Sequence, residues 1–113
     1  MATDPTKITF FRGDSYPKTI TIRNDGQPVN LDGCTALMTV SRDQLPTDTT
    51  GQLFQVSGTI DPYPATGKIH FTPSPANNNE VGNFFYDIQL TTPEGFVRTV
   101  VKSTYTVLQD ITK

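Results

Sequence analysis

A single histidine, His70, and a single cysteine, Cys34, bound the chemistry open to this chain of 113 residues. A Ser–His–Asp relay places an imidazole between a hydroxyl and a carboxylate, so any such relay must use His70. That residue lies in Lys68-Ile69-His70-Phe71, where apolar and polar positions alternate. In a strand this pattern turns Ile69 and Phe71 inward and His70 outward, toward solvent or a neighbouring chain. Cys34 opens another alternating stretch, Cys34 to Val40, and reads as a small buried hydrophobe. A lone cysteine excludes an intrachain disulfide. No His or Cys pair has metal-ligand spacing. The carboxylates stand singly, and Asp25, Asp32, Asp61 and Glu94 fall in turn sequences where such groups bond the nearby backbone. The glycines are isolated, so no phosphate-cradling loop is present. The sequence therefore predicts no catalytic residue, no metal site, no cofactor and no enzyme.

Bulk properties narrow the partners. Net charge is −2, and the nine Lys and Arg residues are scattered. This leaves no basic excess for nucleic acid and no run that would dock on an anionic membrane. The N-terminus has neither the charged nor the apolar region of a secretory signal, and no apolar run has the length of a membrane span. A protein made in the cytoplasm is expected. The length suits a single domain over residues 1–113, with short flexible terminal segments at 1–6 and 109–113.

The elements that must position the side chains are strands. Lys7 to Phe11, Pro17 to Arg23, Thr35 to Ser41, Leu53 to Ile60, Lys68 to Phe71, Phe84 to Leu90 and Phe96 to Val107 each read as extended, most with a period of two. Turn signals separate them: Arg12-Gly13-Asp14, Asn24-Asp25-Gly26, Asp61 to Gly67 and Thr92-Pro93-Glu94-Gly95. Arg42 to Gln52 reads as a loop, and Thr72 to Glu80 as a loop with one helical turn at Ser74 to Asn78. The chain is expected to be all-β, an immunoglobulin-like β-sandwich of seven to eight short antiparallel strands. The cysteine and tryptophan pattern of antibody domains is absent.

The surface then carries the functional candidates. Phe10 and Phe11 are adjacent and must point to opposite faces, as must Phe84 and Phe85. The outward member of each pair is a contact candidate. The candidate interface comprises Phe11, Phe85, His70, Asp87 and Tyr63. Asp87 points away from the apolar face of its strand and could pair with Arg98 or Lys102. Sheet edges offer free backbone groups to a neighbour. Arg12-Gly13-Asp14 spells an integrin-binding tripeptide, but its plain reading is a turn.

The order of several fragments resembles a known pattern. Phe11-Arg12-Gly13-Asp14-Ser15 is followed by Ile20-Thr21-Ile22 and by Gly26 to Thr35. Then come Gly67-Lys68-Ile69-His70-Phe71, Gly82 to Leu90, Gly95 to Val100 and Thr104 to Val107, before Asp110-Ile111-Thr112. Together they resemble the immunoglobulin-like domain at the N-terminus of phage baseplate upper proteins. They are also similar to small free-standing phage virion proteins. Ser103 stands where that pattern often has Gly.

The resemblance implies a non-enzymatic bacteriophage structural protein located in the virion and assembled in the host cytoplasm. Its partners would be the phage major capsid protein or tail and baseplate subunits, with self-association as a dimer or higher. Because nothing follows Lys113, the domain is expected to act through its own surface. Capsid decoration, as a cement or stapling protein, is the first expectation, and a tail, neck or baseplate position the alternative. A host-surface carbohydrate module is a further alternative, with Tyr63 and Tyr16 as its aromatic platforms.

Overall fold

The computed structural model describes residues 7–24, 26–42 and 51–109. Its strands are β1 (Ile8–Phe11), β2 (Lys18–Thr21), β3 (Arg23–Asn24), β4 (Gln27–Pro28), β5 (Thr35–Ser41), β6 (Gln52–Ile60), β7 (Lys68–Phe71), β8 (Gly82–Thr91) and β9 (Val97–Leu108). Seven of them form one curled sheet in the order β1-β9-β8-β5-β6-β7-β2, and β3 and β4 form a separate ribbon. The long strand β6 joins the two halves. Its first part pairs with β5, and its end, Thr59 and Ile60, pairs with β7. The halves fold over a shared core, as in the expected sandwich.

The period-two pattern decides which side chains enter that core. Phe84, Tyr86, Ile88 and Leu90 of β8 are buried, as are Ala36, Met38 and Val40 of β5 and Ile69 and Phe71 of β7. Phe10 is 1% exposed while Phe11 is 52% exposed, as adjacent strand residues require. Cys34 is half-buried and packs against the core.

The turns follow their residue types. Asn24 pairs with Gln27, closing the expected tight hairpin, and Gly26 takes a φ of 81° that a side chain would resist. At the β8–β9 hairpin the Gly95 N–H bonds the Thr92 carbonyl at 2.9 Å.

Some expectations need correcting. The strands are not all antiparallel: β1 lies parallel to β9, with Ile8 opposite Tyr105 and Phe11 opposite Leu108. The strand count is nine among the described residues, because two-residue β3 and β4 pair across their turn. Ser74 to Asn78 forms a hydrogen-bonded turn rather than a helical one. A short 3-10 helix occurs instead at Pro64–Thr66, inside the predicted Pro-rich turn. In β9, Val100 and Val101 are both buried although adjacent. A register shift against Ile88 and Gln89 places the extra residue there, and the bulge lets both valines face inward. The predicted segment 1–6, the tail from 110 onward and most of the 42–52 loop lie outside the described residues.

Candidate functional site

The five candidate interface residues fall on two different surfaces. Phe11, Phe85 and Asp87 belong to the outer face of the β1-β9-β8-β5-β6 layer. Each occupies the outward phase of its strand, opposite Leu108, Thr104 and Lys102 respectively on β9. His70 and Tyr63 belong to the layer formed by β7, β2 and the end of β6.

On the first surface, Phe11 and Leu108 stand side by side in register, 52% and 41% exposed. They make a small apolar knob at the end of edge strand β1. Phe85 is half-buried and offers less surface than Phe11. Asp87 lies directly across from Lys102, whereas Arg98 lies across from Leu90, so the register selects Lys102 as its cation. Partial burial pushes the Asp87 carboxyl above its usual range, and Lys102 opposes that shift.

On the second surface, His70 is less free than expected. Its Nε2 is 2.9 Å from Asp61 Oδ2, and its Nδ1 is 2.8 Å from Thr19 Oγ1. Asp61 also accepts the Tyr63 N–H at 2.9 Å. That backbone bond, followed by the His70 bond, holds the Asp61 carboxyl below its ordinary range. An ionised carboxylate only accepts, so Nε2 carries the imidazole proton. The Thr19 hydroxyl, which can donate or accept, meets Nδ1 on the other side of the ring. The chain Thr19–His70–Asp61 joins edge strand β2 to β7 and to the turn after β6.

This set contains the residue types of a hydrolytic relay, but the ring is reversed relative to that chemistry, with the carboxylate on Nε2 and the hydroxyl on Nδ1. The grooves beside Leu53 and Glu80, beside Ala36 and Gly58, and at the β8–β9 hairpin are lined by other residues. What the arrangement does is fasten β2, a strand with only β7 as its main neighbour. Tyr63, 75% exposed, projects beside it. Tyr16, the second proposed sugar platform, packs against Phe10 at 4.8 Å between centroids with the rings tilted by 51°, and is 46% exposed, so its ring is partly used by the core.

Sequence reasoning missed two features. Phe96 and Val97, at the β8–β9 hairpin, are 72% and 61% exposed and flank a groove that also involves Leu90, Thr92 and Arg98. Their position just after a Pro-Gly turn was the available signal. Asn78 is fully buried in a loop that reads as polar. Its Oδ1 accepts from the Tyr105 hydroxyl at 2.5 Å, and its Nδ2 donates to the Asp14 carbonyl at 2.6 Å. The Asn78 carbonyl in turn accepts from the Gly13 N–H at 2.9 Å. The Arg12-Gly13-Asp14 turn is thus clamped to the 72–81 loop, which fixes the exit of the strand bearing Phe11.

No family profile matches the sequence, and no curated protein matches it. Solved structures do resemble the fold. The N-terminal domain of phage TP901-1 ORF48 superposes with a TM-score of 0.63 over 96% of this chain and 89% of that one, at 13% identity. CopC from Methylosinus trichosporium OB3b superposes with a TM-score of 0.52 over 95% of this chain and 88% of that one, also at 13% identity. At such identity the likeness concerns the fold. The immunoglobulin-like phage domain expected from the sequence pattern has a structural counterpart among phage proteins.

Proposed function

We propose that this chain is a non-enzymatic structural component of a bacteriophage particle, docked on tail or baseplate subunits. The observation that carries the reading is the fold shared with the phage TP901-1 ORF48 N-terminal domain across nearly the whole chain. The resemblance of the sequence fragments to baseplate upper proteins points the same way, and it puts tail and baseplate ahead of capsid decoration. The surface supports the reading. It offers the Phe11–Leu108 knob and the Phe96–Val97 hairpin tip, apolar groups suited to partner contact. The lone histidine is engaged in holding strands together.

The proposal includes contact between copies, since particle components act in many copies. Cryo-electron microscopy of purified particles tests it. Density fitting this sandwich at the tail or baseplate is the expected result. Density at capsid symmetry sites would move the chain to a cement role. Absence from the particle would overturn the structural reading. A carbohydrate module is the second reading, favoured only by exposed Tyr63, and glycan-array binding by the isolated protein would support it.

A further inference from the structure

The outer face of the β1-β9-β8-β5-β6 layer is nearly free of charge. Its five strands hold three charged residues, Asp87, Arg98 and Lys102. Arg98 stands opposite buried Leu90 and so belongs to the inner face. That leaves Asp87 and Lys102, which stand opposite each other in register. By contrast β2 and β7, four residues each, both open on a lysine. Neutral polar residues fill most other outward positions, with half-buried Leu37 and Phe85 and exposed Val97 among them. Depletion of charge with retained aromatic and apolar groups marks the centre of a protein interface.

The face is also uncovered. No outward residue of β8 from Phe85 to Thr91, or of β9 from Val97 to Thr104, is buried. The same holds for the outward residues of β5 from Thr35 to Thr39 and of β6 from Gln55 to Ser57. Asp87 lies within this surface, half-buried, with Lys102 across from it and no hydrogen bond to its carboxylate among the described residues. A carboxylate accepts at two oxygens and an ammonium donates three protons, so both members of the pair can take a further partner.

We propose that this face packs on the same face of a second copy, across a two-fold axis that runs along the sheet between β8 and β9. Such an interface brings one patch against itself, so its charges must be self-complementary. Asp87 and Lys102 lie on neighbouring strands, one on each side of that axis. The rotation sets Asp87 against the partner's Lys102 and Lys102 against the partner's Asp87, giving two equivalent ion pairs. It also sets Phe85 against the partner's Thr104 and Val97 against the partner's Thr91, since these residues stand opposite each other within one sheet. A partner surface of a single charge would face one member of the pair with its own sign, whereas a second copy satisfies both. The contact centres on β8 and β9, with β1 and β5 at its margins, and falls at the small end of interfaces, below about 1,200 Å² in total. This rests on the reading of a multi-copy particle component. It concerns the isolated chain, however, and can fail separately from the particle imaging.

Analytical ultracentrifugation of the full chain, from micromolar to hundreds of micromolar, tests the dimer. Asp87→Lys turns both intermolecular pairs into like charges and should weaken association about tenfold or more. The exchange Asp87→Lys with Lys102→Asp restores opposite charges across the axis and should restore the dimer. Val97→Lys leaves the Asp87–Lys102 pair intact but sets an unmatched ammonium against the partner's Thr91, and should also weaken association. Val97 is 61% exposed, so this change does not enter the core. Circular dichroism checks that each variant folds, and Val97→Lys decides the matter if Asp87→Lys does not. A wild-type chain that stays monomeric overturns the proposal. So does a folded exchange variant that dissociates like Asp87→Lys, or a Val97→Lys chain that dimerises as well as wild type.

Discussion

Replacing Asn78 with alanine should destabilise the fold well beyond the usual cost of changing a polar loop residue. The side chain is fully buried and makes two hydrogen bonds, to the Tyr105 hydroxyl and the Asp14 carbonyl. Each such bond contributes about 1 kcal/mol net, and a buried hydroxyl stripped of its partner costs roughly 1–3 kcal/mol. Tyr105 is 1% exposed, so water cannot replace the lost acceptor without opening the core. The expected loss for Asn78→Ala is about 2–4 kcal/mol. Tyr105→Phe removes the same bond from the other side and should cost about 1–2 kcal/mol. Because the two changes share one bond, the double variant should cost less than their sum, by about 1–2 kcal/mol. Urea unfolding monitored by circular dichroism measures each term, since the midpoint shifts while the slope stays constant. An Asn78→Ala loss under about 0.5 kcal/mol, the range of ordinary surface changes, would refute the reasoning. So would simple additivity with Tyr105→Phe.

Other predictions follow from single sites. Gly67→Ala should cost roughly 1–3 kcal/mol or more, because φ is +71° and a Cβ there would stand 2.6 Å from the Ile22 carbonyl oxygen; thermal melting reads the loss. Asp61 has its folded pKa below the ordinary 3.8, so its contribution is present above that value and is lost as pH falls through the lower folded one. Asp61→Asn should therefore flatten the acid limb of a stability–pH curve. Asp87 has the opposite shift, so folding disfavours its charged form: stability falls as pH rises from 3.8 through the raised folded value, and the penalty is fully present at neutral pH. Asp87→Asn should leave neutral-pH stability unchanged or slightly higher, within about 0.5 kcal/mol, by the same urea assay. Joint replacement of exposed Phe11 and Leu108 by serine should spare folding yet lower incorporation into particles, scored by quantitative mass spectrometry of purified virions against wild type.

The strands were legible because burial on one face writes itself into alternate residues. Phe84-Phe85-Tyr86-Asp87-Ile88-Gln89-Leu90 states its inward and outward sets directly, and the core adopts them. Turns with Gly or Pro at positions of restricted φ were legible for the same local reason. The parallel pairing of β1 with β9 was not, since nothing in Ile8 to Phe11 names a partner nearly a hundred residues away. The bulge at Val100 and Val101 was hidden too, because a bulge breaks the very period used to read the strand.

The site residues divide along the same line. Phe11 was recoverable as an outward aromatic from its neighbour Phe10 alone. The role of His70 was not, because Thr19 and Asp61 reach it only after β2, β6 and β7 come together. Asn78 was the least visible, one asparagine among three whose burial depends on a tyrosine in the last strand.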